Sequence, residues 1–344
     1  MGHRFTRLKA QLKTQLKAQL KAQPKLRVKP LLRWAIVGLT AAFLLAALRE
    51  HWAEVTELRL RESGLGYAAA GFGITLVAHV WSGWVWGWIL GDLDRPVATA
   101  WAIGTFLQTN IAKYLPGNVW HFISRVRAAQ QHGIPTAIAA LSVAIEALCM
   151  AAAAAGLAIA VVPNLGAIAA GLLAIAVGLH PRVLNPIVAR LGASKAKQFA
   201  RLDGDVTADP TIAAPTATAS DSPDAAATVL GLRRYPWRSF LGELGFVMLR
   251  GLGFLGIWLA LAPIAIGELP RLLGGFGLAW LLGLVVPGAP GGVGVFEATA
   301  LSVLGGAFPA GTIFGAIALY RLVSVSTEAI GAGIASSLAA SWQR

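Results

Sequence analysis

The side chains that could do chemistry in this chain are few, charged and set among apolar neighbours. The stretch Thr109-Asn-Ile-Ala-Lys-Tyr-Leu-Pro-Gly-Asn-Val-Trp-His-Phe-Ile-Ser-Arg125 carries Lys113, His121 and Arg125 around a Pro116-Gly117 break. Glu146 follows in the middle of an apolar run. A second break, Val286-Pro-Gly-Ala-Pro-Gly-Gly-Val-Gly-Val-Phe-Glu297, ends on another carboxylate, and Arg250, Arg321 and Glu328 stand in further apolar runs. Ionisable groups at membrane depth are costly and therefore functional candidates by default. Broken backbone there is tolerated only when it is buried in protein or lines a cavity. The expectation is that the two breaks face each other and form one site.

Around the first break, Lys113, His121 and Arg125 supply positive charge, and amides freed from the helix supply donors, which suits a phosphate-bearing head group. Tyr114, Asn118, Trp120 and, from the second half, Arg321 complete that candidate lipid-binding set. The structural reading of the same stretch is a kink whose Lys113 reaches for the interface. Glu146 costs roughly 2.5–3.5 kcal/mol in mid-span, so it needs a partner, and Arg125 or Lys113 is the obvious choice. A structural ion pair and a proton or substrate role fit it equally. Around the second break, Pro287, Gly288, Pro290, Gly291, Gly292 and Gly294 preclude a continuous helix. The Gly-Lys-Ser/Thr of a nucleotide loop is missing. Glycines there let backbone approach a ligand or the opposite hairpin. Glu297 is expected to pair with Arg321 or to line the cavity. Together with Glu328 and Arg250, these groups imply a polar interior.

Other residues read more plainly. Trp81, Trp84, Trp86 and Trp88 suit an interfacial aromatic belt. Histidines 51, 79, 121, 132 and 180 show no metal-ligand spacing. No Ser/His/Asp, Cys/His or paired-carboxylate arrangement is visible, so no catalytic residue, metal or cofactor is expected.

The elements that must position these groups are apolar helices. Hydrophobic residues make up 56% of the 344 and charged ones 13%, about half the charged share of a soluble domain. That composition points to an all-α polytopic membrane protein. Hydropathy places six full spans near 31–48, 65–90, 135–162, 164–180, 240–263 and 310–338. Regions 97–131 and 270–307 are apolar but interrupted by Pro-Gly, and read as re-entrant hairpins. The lone Cys149 permits no intrachain disulfide. The net charge of +13 is concentrated in residues 1–33, which hold ten Lys/Arg and no acid. Within this arm Leu8-Lys-Ala-Gln begins a fourfold repeat through residue 23. On a helix it makes a drifting leucine stripe beside lysines, suited to an anionic leaflet; it reads equally as a solvated tail that sets topology. Residues 1–30 are thus a basic amphipathic arm, 31–200 a first membrane half, 201–235 a disordered linker centred on the polar stretch 203–228, and 236–344 a second half.

Lys/Arg placement puts the arm, the loop 181–239 and both termini in the cytoplasm. Parity then makes the two hairpins enter from opposite faces, as in an inverted-repeat transporter. The basic arm is read as a membrane-surface element, with no nucleic-acid partner.

Lys113-Tyr-Leu-Pro-Gly-Asn-Val-Trp with Arg125, the mid-span Glu146, Pro-Gly-Gly-Val-Gly-Val-Phe-Glu297 and Tyr320-Arg321 resemble the lysylphosphatidylglycerol synthase transmembrane region family, over roughly residues 31–340. The resemblance implies the flippase-like membrane half of those synthases without their soluble aminoacyl-transferase domain. It therefore implies no enzyme activity, but binding and translocation of an anionic or phosphate-bearing lipid in a plasma (inner) membrane. Two other readings stay open: an accessory protein that serves a separate envelope-lipid or glycolipid enzyme, and a membrane-embedded transferase acting on a polyprenyl-phosphate lipid.

Overall fold

A computed structural model describes residues 60–114, 120–161, 164–183, 185–186, 235–286 and 290–342. The basic arm, span 31–48, linker 203–228 and residues Pro116, Gly117, Asn118, Pro287 and Gly288 lie outside the described residues. The described chain is helical: α1 Gly64–Asp92, α2 Thr99–Asn110, α3 Trp120–Gln131, α4 Thr136–Ala158, α5 Leu165–Gly178, α6 Trp237–Leu261, α7 Leu269–Val285, α8 Val295–Leu304 and α9 Ala310–Trp342. Short 3-10 turns extend α2 over Ile111–Tyr114 and precede α8 over Pro290–Gly292. This is an all-α polytopic membrane protein. Five stretches, 64–92, 136–161, 237–261, 266–285 and 310–338, are long and apolar enough to cross a bilayer.

The long helices α1 and α6 form the central antiparallel pair. Their backbones touch because glycines remove the side chains between them: a Cβ on Gly256 would stand 2.9 Å from the Gly71 Cα. In lipid, where apolar burial alone does not drive helices together, such small-residue contact supplies the dispersion energy of association. Trp81 Nε1 donates to the Gly242 carbonyl at 2.8 Å farther along the same seam.

Contacts at the helix ends fix the directions. Gly64 at the start of α1 lies against Ala260 near the end of α6, and the Trp258 and Phe308 rings meet 4.8 Å apart just before α9. These define one end of the bundle. At the other end, Ser239 of α6 donates to Asp92 of α1, and Trp101 stacks on His132 with centroids 4.1 Å apart. Trp101 opens α2 and His132 follows α3, so this segment enters and leaves at the same end. The two helices have 12 residues each, about 18 Å, and the 3-10 turn adds 4 residues to the inbound arm, which brings it to about 26 Å against a hydrocarbon core of about 30 Å. Neither arm spans.

The second broken segment enters from the opposite end. Gly274 of α7 packs on Val161 at the end of α4, and Leu304 at the end of α8 packs on Gly275. Both arms therefore start and finish at the end that holds Trp258 and Phe308. α7 with its preceding turn is long enough to cross by length alone, and its packing makes it one arm of a hairpin. α5 differs from the expected span 164–180. It holds 14 residues, about 21 Å. Asn164 caps it, its Oδ1 accepting from Ala167 N at 3.2 Å. It lies at the periphery, with Leu172, Leu173 and Val177 exposed.

The two halves thus share one order, span–hairpin–span, in opposite directions: α1, α2/α3, α4 and α6, α7/α8, α9. Reporter tags after residues 131 and 307 should lie on opposite faces of the membrane; both on one face would contradict this topology.

Candidate functional site

The two hairpin tips meet inside the bundle. Tyr114, at the end of the first hairpin's inbound arm, lies against Gly291 in the second, where a Cβ would stand 3.2 Å from the tyrosine ring. Gly291, Gly292 and Gly294 have φ values of 58°, 70° and 89°, a region that glycine enters without penalty. Gly292 is doubly constrained, since a Cβ would stand 3.1 Å from the Gly283 Cα on α7.

Each return arm is clamped to the next long helix by one ion pair, buried in the first half and partly buried in the second. In the first half, Arg125 of α3 donates through Nη1 to Glu146 Oε2 of α4 at 2.5 Å. Of the two partners the sequence offered for Glu146, the structure uses Arg125. The guanidinium also lies 4.1 Å from the Phe106 ring centroid and 5.5 Å from that of Trp86. Trp86 is therefore not part of an interfacial belt. It is wholly buried, bonds Ser142 through its Nε1–H at 3.1 Å and walls the arginine. Trp81, Trp84 and Trp88 do form an edge-to-face cluster, with Trp84 40% exposed.

In the second half the polarity is reversed. Glu297 of α8 accepts from Arg321 Nε of α9 at 2.7 Å through Oε1. Its Oε2 accepts from Gly294 N at 2.5 Å, the return half of a capping box that satisfies one orphan amide of α8. Arg321 Nη1 and Nη2 donate to the carbonyls of Gly291 and Gly292 at 2.8 and 3.2 Å. One arginine thus satisfies backbone that the break exposes, as membrane burial requires.

A third group joins the tips to the long helices. Lys113 Nζ donates to Glu328 Oε1 at 2.6 Å, and His79 Nε2 lies 3.3 Å from the same oxygen. Arg250 Nη1 reaches that His79 nitrogen at 3.1 Å, and its Nη2 donates to Ser324 Oγ at 2.9 Å. Tyr320 OH donates to the Arg250 carbonyl at 3.1 Å.

Between these groups lies a cavity of roughly 730 Å³. Lys113, Tyr114, His121, Arg125, Glu146, Gly291, Gly292 and Arg321 line it, as the sequence suggested. His79, Arg250, Trp280 and Ser324 line it as well. Glu297 and Glu328 lie behind the lining and hold Arg321 and Lys113 in place. Trp120 is 37% exposed and is not among the lining residues. On the rim, Val285 is 60% exposed.

The sequence reading passed over two buried titratable residues, His79 in the cavity lining and Glu243 outside it. His79 was visible as a lone histidine in an apolar span. Glu243 of α6 is wholly buried, and neither carboxylate oxygen has a hydrogen-bond partner among the described residues. A lone carboxylate in the run 239–262 was the signal for it.

No family model matches the chain, and the search of curated proteins found no match.

Removing one member of a buried pair leaves an uncompensated charge, at a cost of about 3–5 kcal/mol, whereas an apolar pair of similar volume is often tolerated. Glu146→Gln should therefore lower the thermal midpoint of the detergent-purified protein markedly. The double variant Arg125→Met/Glu146→Leu should recover most of that loss. In the same assay Glu243→Gln, which breaks no ion pair, should leave the midpoint unchanged or raise it.

Proposed function

We propose that this protein binds the head group of an anionic or phosphate-bearing lipid in the cavity between its hairpin tips and passes the lipid between leaflets. The observation that carries this reading is the cavity itself. It holds cationic groups at the meeting point of two re-entrant hairpins that enter from opposite ends, and its rim includes the exposed Val285.

Physical requirements support the reading. A lipid crossing a bilayer must bring a polar head through about 30 Å of hydrocarbon while its chains stay in the membrane. That calls for a polar interior with an apolar flank. Here Lys113, Arg125, Arg250 and Arg321 face the interior, and Phe122, Leu148, Leu284 and Val285 lie along the wall. Inverted repeats with broken helices at mid-membrane are a recurring basis for alternating access. The resemblance of both Pro-Gly motifs to the lysylphosphatidylglycerol synthase membrane region points the same way, toward translocation. We further place both termini on the cytoplasmic side of a plasma membrane, because the lysines and arginines of 1–33 and 181–239 favour that side.

The test is transbilayer movement of a head-group-labelled anionic phospholipid in liposomes that contain only the purified protein. Movement above that of protein-free liposomes is expected. Ala147 lines the cavity, and Ala147→Trp should return the rate to near the protein-free value without loss of folded protein. No movement with any anionic lipid would favour the accessory reading, in which the protein serves a separate envelope enzyme.

A further inference from the structure

Not every buried cation around the cavity has a carboxylate beside it. Arg125, Arg321 and Lys113 each have a carboxylate: Glu146, Glu297 and Glu328. Arg250 has none within ion-pair distance among the described residues, yet it is 3% exposed. Glu243, two turns earlier on the same helix, lies within ion-pair distance of no cation among those residues. Arg250 is held by His79, Ser324 and two ring faces, Trp280 at 4.9 Å and Tyr320 at 5.1 Å. Its Nε, like that of Arg125, has no hydrogen-bond partner among the described residues.

The local charge can be counted. His79 Nε2 sits between two groups, 3.1 Å from Arg250 Nη1 and 3.3 Å from Glu328 Oε1, and adds no negative charge. Arg250, Glu328 and Lys113 together carry one positive charge in excess. An uncompensated charge out of water is strongly unfavourable unless something pairs with it. Arg250 also lines the cavity, where a ligand can reach it.

We propose that Arg250, with Lys113 and His79 beside it, is an anion site for a group of single negative charge, the phosphate diester of a glycerophospholipid head. This deepens the translocase reading and rests on it for the lipid source. A diester carries one charge, matching the excess of one, whereas a phosphate monoester carries about −1.5 to −2 near neutral pH. Its tetrahedral oxygens can accept from the Arg250 edge and the Lys113 ammonium together. Arg125 and Arg321 are positioning residues for the hairpins in this assignment, and Arg250 is the residue that meets the ligand.

The test uses the full-length protein in a neutral detergent, with the thermal midpoint followed against added phosphatidylglycerol, phosphatidylcholine and water-soluble glycerophosphoglycerol. Phosphatidylglycerol should raise the wild-type midpoint, with the other two well behind. Arg250→Met should fold with an unchanged or higher lipid-free midpoint, since it removes an unpaired buried charge. Its apparent affinity for phosphatidylglycerol should fall roughly tenfold to a hundredfold, the loss of one charged hydrogen-bonding contact. Arg250→Lys should keep part of the response. An equal phosphatidylglycerol response in Arg250→Met would overturn the assignment. So would lipid-free unfolding of Arg250→Met together with a full response in Arg250→Lys, since Arg250 would then be structural. Equal action by the soluble diester would overturn the lipid source. The liposome assay separates the two proposals. Binding through Arg250 without lipid movement would leave the anion site standing and remove the translocase reading. Undiminished movement by Arg250→Met would do the reverse.

Discussion

Two ion pairs of opposite polarity, one buried and one partly buried, hold the broken helices of this protein in place. Arg125–Glu146 ties the return arm of the first hairpin to α4, and Glu297–Arg321 ties that of the second to α9. A re-entrant arm has fewer neighbours along its length than a full span and ends at exposed backbone. Packing alone is a weak restraint on such an element, because lipid is as apolar as the side chains it replaces. A charge pair in low dielectric restrains one geometry strongly, since moving the arm separates opposite charges where water cannot screen them. Arg321 adds a second restraint by taking the Gly291 and Gly292 carbonyls.

With the arms held, the tips are brought together. Tyr114 rests on Gly291, and Lys113 reaches Glu328 on α9, so the first hairpin is bound to the second half of the molecule. The central α1/α6 pair is linked across the same level by His79 and Arg250. These two residues come from the first long helix of each half, where inverted halves face each other. The cavity is therefore built at the junction of the repeats. There, motion of one half against the other would change its shape most.

The charges divide into two classes by this geometry. Arg125, Arg321 and Lys113 each have a carboxylate partner within the protein, and they shape the hairpins that bound the cavity. Arg250 meets His79, Ser324 and aromatic faces, and no carboxylate within ion-pair distance among the described residues. The sum of Arg and Lys residues near a cavity therefore overstates what a ligand meets. Electrostatic attraction for any anion in the cavity resides in the excess.

Composition, hydropathy and the two Pro-Gly interruptions determined the all-α membrane class, four of the long helices and the positions of both breaks. Those features are local: apolar runs of bilayer length and residues that cannot continue a helix carry their signal in the chain itself. Lys/Arg placement and parity also led to hairpins from opposite faces. Tertiary structure decided the rest. It made 266–285 a hairpin arm despite its length, reduced the 164–180 span to a 14-residue peripheral helix, and drew Trp86 from a supposed belt into the wall around Arg125. It also matched Lys113, Arg125 and Arg321 with carboxylates across 21 to 215 residues of chain, leaving Arg250 without one among the described residues. A sequence shows that charges are buried; which of them cancel depends on distances of a few ångströms between helices far apart in the chain.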